Sequence, residues 1–179
     1  MIFMKAFYYL LEKISTFFSL VGAILSVVVM FAMTVHIIYE IILRAFFDSS
    51  TYVLDEMVGY GVAAMIFLSL GYAFKHKSLI RVSILSTSLE SERLKTYLEV
   101  FCVVVGIFAS AFIFKYFYLS IVRHLARGSK SETIAEVPLW IPELFVCIGL
   151  AIFMLELIRR FFGLILNQEE SVMISAEAE

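Results

Sequence analysis

Residues 39–57 read Y-E-I-I-L-R-A-F-F-D-S-S-T-Y-V-L-D-E-M, residues 58–74 V-G-Y-G-V-A-A-M-I-F-L-S-L-G-Y-A-F, and residues 75–81 K-H-K-S-L-I-R. One apolar segment ends at a charged, aromatic turn. A second returns through the same thickness and stops at a basic cluster. This is the pattern of a helical hairpin through a bilayer, with an acidic turn on one side and a basic end on the other.

Composition agrees with that solvent. Of 179 residues, 62% are hydrophobic and 17% charged, with a mean hydropathy of +0.96. A water-soluble domain of this length could not bury so much apolar surface, so the surplus faces lipid. Two prolines and eight glycines leave long helices nearly uninterrupted. Cys102 and Cys147 both lie in apolar runs, where buried small hydrophobes are expected; no spacing suggests a disulfide framework or a zinc site.

Outward from the hairpin, four spans are expected: helix 1 over about 14–44, helix 2 over 54–74, helix 3 over 96–122 and helix 4 over 140–162. Helix 1 overshoots the bilayer and so tilts or projects into water. Its apolar run is too long for a cleavable signal sequence and lacks a small-residue cleavage site. Residues 1–13 read either as an interfacial amphipathic helix leading into helix 1 or as a frayed, partly helical tail. Residues 78–95 space Leu79, Val82, Leu85 and Leu89 at helical intervals among serines and charges, the pattern of an amphipathic helix lying on the membrane surface. The fold class is therefore an all-α integral membrane protein of four transmembrane helices plus this surface helix. It forms a single membrane domain over 1–166, followed by a disordered acidic tail over 167–179.

An even number of spans puts both ends on one side. Lys5, Lys13, Lys75, Lys77, Arg81, Arg93, Lys95, Arg159 and Arg160 fall on that side, and Arg44, Arg123, Arg127 and Lys130 on the other. The positive-inside bias places both termini in the cytoplasm.

Charges near membrane depth are the candidate functional residues. His36, Glu40 and Arg44 recur every four residues on one face of helix 1. Glu40 and Arg44 can pair on that face, or Arg44 can reach Glu56 across the hairpin. The patch reads either as a capped helix end or as a contact for a partner or substrate path. Lys115 inside helix 3 either snorkels to headgroups or pairs with another subunit. Glu156 and Arg160 have the spacing of an ion pair. Small residues of helix 2, Gly59 and Ala63 among them, permit close approach of a neighbour. None of these charges sits at the bilayer midplane, where secondary transporters keep their ion sites. Catalytic and phosphate-binding motifs are absent from the sequence, and His36, His76 and His124 are scattered over different helix ends. No catalytic residue, metal ligand or cofactor is expected, and no nucleic acid.

Three blocks together resemble a known family. R-A-F-F-D-S-S at 44–50 with Y-V-L-D-E-M at 52–57 is similar to the arginine-aromatic turn and acidic helix start of the small DctQ-type membrane subunit of tripartite ATP-independent periplasmic (TRAP) transporters. Arg44 and Glu56 match its recurrent Arg and Glu, and Tyr52 stands where a tryptophan is common. S-L-G-Y-A-F-K-H-K-S-L-I-R-V-S-I-L at 69–85 resembles a second block, with Leu79 and Ser83 where the family often has His and Asp. V-P-L-W-I-P-E-L at 137–144 resembles its Pro-x-Trp opening of helix 4, at Trp140.

The resemblance implies an accessory subunit of a secondary transporter for organic acids in the bacterial inner membrane. A large multispan subunit would carry the substrate and sodium sites, and a periplasmic substrate-binding protein would deliver the substrate. This chain would scaffold the large subunit, with helices 1 and 2 supplying much of the contact. Residues 45–53 and 124–138, including Asp48, Arg127 and Lys130, would face the periplasm and touch the binding protein. Two other readings stay open on the residues alone. One is a self-sufficient four-helix homodimeric carrier with Glu40 as coupling carboxylate; the other is a membrane anchor subunit of a redox complex.

Overall fold

A computed structural model describes residues 2–76, 78 and 92–166. Four helices follow in order: α1 (Ile2–Phe47), α2 (Leu54–Lys75), α3 (Glu92–Arg127) and α4 (Trp140–Ile165). Each is long and apolar enough to cross a membrane. Large apolar side chains cover the outside of the bundle, Phe46, Phe101 and Phe108 among them. Such a surface would aggregate in water and is the ordinary surface of a helix bundle in lipid.

Helices run past the spans that hydropathy marks. α1 is one helix of 46 residues, ~70 Å at the helical rise, more than twice the ~30 Å hydrocarbon core. Its first residues are no frayed tail: the helix is unbroken from Ile2, so residues 2–13 lead straight into the span, and Tyr8 is buried. α3 begins at Glu92, so residues 92–95 belong to it and not to a surface helix. Most of that expected helix, residues 79–91, and the acidic tail over 167–179 lie outside the described residues.

The helix ends are set locally. α1 stops where Asp48 takes a left-handed backbone (φ 47°) and Ser49 N–H turns back to Leu43 O. α3 stops at Gly128 (φ 60°), with Ser129 N–H bonded to His124 O and Gly128 N–H to Leu125 O. That bond pair is a Schellman ending, for which glycine carries no Cβ penalty. Pro142 sits in the first turn of α4, where its missing N–H costs no helical bond.

α4 is the central helix, packing against α1, α2 and α3; α1 and α2 also pack on each other. α3 makes its substantial contact with α4 alone. Cys102 accordingly faces outward, although its apolar surroundings in sequence suggested burial, whereas Cys147 on α4 is buried. Three helices meet closely at Phe67 and Leu68. Gly22 of α1 faces Leu68 O, and Gly149 of α4 faces the Phe67 carbonyl and Leu68 N. A small-residue stripe on α1 (Ser15, Ser19, Gly22, Ser26) is buried in the same seam. Small residues lower the distance at which two helices can pack in lipid.

Candidate functional site

Both hairpin loops lie at one end of the bundle, joined by a hydrogen bond from Thr133 Oγ1 to Glu56 Oε2. At that end three carboxylates hold the turns. Glu40 is fully buried. It accepts from Arg44 Nε at 2.9 Å, Thr51 N–H at 3.1 Å and Thr51 Oγ1 at 2.6 Å, and also from Ser50 Oγ. Both oxygens of Glu40 are thereby engaged by its own turn. Arg44 pairs with Glu40 and not with Glu56, and most of its side chain stays exposed. With Asp48, Ser49, Ser50 and Tyr52 it lines a polar recess of about 380 Å³ at the hairpin tip.

Glu56 accepts from Tyr60 Oη at 2.7 Å and from Thr133, so it ties α2 to the α3–α4 loop. Glu143, in the first turn of α4, accepts from Ser120 Oγ at 2.8 Å and lies 3.1 Å from His124 Nδ1. This tie joins residues of two helices far apart in sequence, and no spacing within one helix signals it. In the loop, Lys130 Nζ donates to Glu136 at 2.6 Å, and an isolated bridge pairs Lys130 with Pro138. The ammonium of Lys130 beside Glu136 holds that carboxyl below the usual carboxylate range. Of the three surface charges read as a docking face, Lys130 is therefore already paired. Asp48 and Arg127 are exposed, with no ion pair among the described residues.

The opposite end holds a second polar network. Glu156, fully buried, accepts from Ser19 Oγ at 2.6 Å and Arg159 Nε at 2.8 Å. Arg159 Nη1 donates to Tyr8 Oη at 3.3 Å. Arg160 donates to Glu99 at 3.0 Å and lies 5.8 Å from the Phe74 ring centroid. The expected Glu156–Arg160 pair is therefore replaced by two others. Glu156 is turned toward α1, where Arg159 meets it, while Arg160 is rotated a further ~100° about the helix and faces α3. Lys75 Nζ donates to Thr16 Oγ1, closing α2 onto α1.

Between these ends an apolar cavity of about 450 Å³ lies among α1, α2 and α4, lined by Met33, His36, Met57, Tyr60, Gly61 and Phe145 among others. His36 Nε2 is buried there with no hydrogen-bond partner among the described residues. No three His, Cys, Asp or Glu side chains gather as metal ligands among the described residues.

The face of α2 that packs inside the chain carries Gly61, Ala64, Leu68 and Gly71. Gly59 points into open space, with nothing within 4 Å of an added Cβ. Ala63 and Trp140 are half-buried. Small residues surround α2 on all sides, which hides from the sequence which side its own partners use.

A family model described as the DctQ component of tripartite ATP-independent periplasmic transporters matches residues 33–167. No curated protein and no solved structure matches the chain.

Proposed function

The chain belongs to the family of DctQ components of tripartite ATP-independent periplasmic transporters, and on that premise we propose that it scaffolds the large transport subunit and helps to dock the periplasmic binding protein. Membership makes it a transporter component and not an enzyme. The match over 33–167 carries the reading. The chain's own chemistry supports it. Glu40, Glu56, Glu143 and Glu156 are each engaged by groups of the same chain. A carboxylate that shuttled ions would need an oxygen open to a path; Glu40, the coupling candidate of a self-sufficient carrier, is enclosed by its turn.

In this reading the bundle is the static side of an alternating-access machine. It sits in the bacterial inner membrane with both termini in the cytoplasm, and the hairpin loops face the periplasm. Affinity purification of the full chain from native membranes in mild detergent tests the assignment. A stoichiometric larger membrane protein is expected with it. Recovery of the chain alone, stable and self-associated, would overturn the reading.

Gly59 and Ala63 are the α2 residues proposed to meet the large subunit. Gly59→Ala alone should leave the purified chain as stable, or raise its stability by about 0.5–1 kcal/mol through helix propensity. Gly59→Phe should leave it folded yet lower the recovered large subunit several-fold, because a close helix approach tolerates no ring. Full recovery with Gly59→Phe would move the contact off this face.

The loop end is proposed to touch the binding protein. Charge reversal at Asp48 and Arg127 should slow docking and alter its salt dependence, as rim charges do. Reversal at Lys130 also breaks the bond to Glu136, so Glu136→Gln is its control. Unchanged association rates in both Asp48→Lys and Arg127→Glu would remove this surface from the docking face.

A further inference from the structure

α3 is joined to the bundle on one side. Val103, Ser110 and Ile121 are its buried positions, and α4 is the helix it packs on. The opposite side carries Phe101, Val105, Phe108, Phe112, Lys115 and Leu119, all outward. These positions recur at alternating spacings of four and three, a continuous helix-packing seam. An unbroken apolar seam would be satisfied by lipid tails. Lys115 breaks it. It is exposed and has no hydrogen bond or ion pair among the described residues.

Its depth follows from the polar ties on either side. Glu99 bonds Arg160 near one end of α3, and Ser120 bonds Glu143 near the other. The rise between those two levels is ~30 Å, the thickness of a hydrocarbon core. Lys115 lies about 7–8 Å inside the Ser120 level, at 1.5 Å per residue. The nearer interface is therefore toward the C-terminal end of α3. Cα–Cβ bonds on a helix tilt toward its N-terminus, so the stem of Lys115 leaves the backbone toward the membrane centre. To reach a headgroup phosphate it must double back. A carboxylate on a neighbouring helix at the same depth meets the ammonium without that detour and offsets its desolvation.

We propose that this outward seam of α3 is the packing surface for a membrane-spanning helix of another transporter subunit, which sets an Asp or Glu against Lys115. The proposal rests on the accessory-subunit reading and extends the contact from α1 and α2 to α3. A second copy of this chain does not fit. Two-fold packing about an axis along the membrane normal would bring Lys115 against its own symmetry mate, and the seam carries no carboxylate.

The test uses the full chain expressed with its transporter subunits in native membranes, carrying a photo-crosslinking residue at Phe112 or Leu119. The expected product has the mass of this chain plus the large subunit. Lys115→Met should lower the co-purified large subunit by about threefold, from the worth of a polar contact within a membrane. Lys115→Glu should lower it more than about tenfold, by setting like charges together, while Lys115→Arg retains it. The chain's own membrane level is measured throughout; should Lys115→Glu fail to accumulate, Lys115→Met decides. Crosslinks to lipid alone, crosslinks to a second copy, or undiminished recovery with Lys115→Met overturn the proposal. In each of these cases the wild-type chain would still bring down the large subunit. A wild-type chain that recovers no large subunit defeats the accessory-subunit reading itself, and this proposal with it.

Discussion

Gly149→Ala is expected to lower the stability of the purified chain in mild detergent by about 1–3 kcal/mol, and Gly149→Val by more. A Cβ at this position would stand 2.4 Å from both C and O of Phe67 and 2.8 Å from Leu68 N. These are backbone atoms of α2, so no rotamer change relieves the clash. α2 and α4 must separate by about an ångström to restore van der Waals contact. That separation loosens the contacts of Leu68 and Leu150, both almost fully buried. A competing gain exists, because alanine is favoured over glycine in a helix by about 1 kcal/mol. Overpacking wins here because the obstructing atoms are main chain of a second helix at a three-helix node: Gly22 of α1 also faces this backbone, with Leu68 O 2.6 Å and Ile152 Cδ1 3.3 Å from its own added Cβ, so α2 can yield only by withdrawing from α1 and α4 together.

Gly59→Ala supplies the matched control, since it gains the same propensity and meets nothing within 4 Å. Denaturant titration of the two variants side by side separates the effects. If Gly149→Ala matched Gly59→Ala, the close approach of α4 to α2 would be wrong. Gly22→Ala should lose stability at the same node. The double variant should then cost less than the two losses added together, because one displacement of α2 relieves both clashes.

This contrast also marks how far the sequence could be read. Hydropathy located all four spans and the hairpin, because lipid imposes a length on any apolar helix that crosses it. It placed the ends of α1 and α3 poorly. Once a helix leaves lipid, its hydrogen-bond ladder continues through polar residues that hydropathy scores as loop. Which side of α2 faces inward was not legible, since Gly59 and Gly61 are equally small and only Gly61 lies against Met33. A signal for the inward side of α1 did exist. Ser15, Ser19, Gly22 and Ser26 recur at spacings of four, three and four among large apolar residues. Of the two partners open to Arg44, the one within its own turn, Glu40, is the one it takes, where both residues serve one loop. Spacing failed for Glu156, whose choice between Arg159 and Arg160 is made by the position of α1 and α3. The bonds of Glu56 to Thr133 and of Glu143 to Ser120 depend on tertiary placement alone.

Glu156→Ala should cost about 3–5 kcal/mol, the loss typical of removing one partner from a buried ion pair. Glu156 is fully buried; it joins α4 to α1 through Ser19 Oγ and holds Arg159 Nε, whose guanidinium in turn reaches Tyr8 of α1. Removing it takes from the buried Arg159 guanidinium the carboxylate that accepts at Nε, and takes from Ser19 the acceptor of its hydroxyl. Glu156→Gln should cost less, because an amide oxygen still accepts from one of these donors. Arg159→Met should also be severe, because it takes from the buried carboxylate the cation that donates to it through Nε. The decisive variant is Glu156→Met with Arg159→Met, which removes both charges and keeps the volume. It should recover part of the loss of either single change. That recovery separates a buried pair from a hydrated one. An ion pair open to water is worth about 0–1 kcal/mol, so each single variant would then be nearly silent and the double variant would restore nothing. Equilibrium unfolding of the four chains in detergent reads all of this. Single losses below about 1 kcal/mol, the ceiling for an exposed pair, would place the Glu156 end of the bundle in contact with water and remove the network from the set of forces that join α1 to α4.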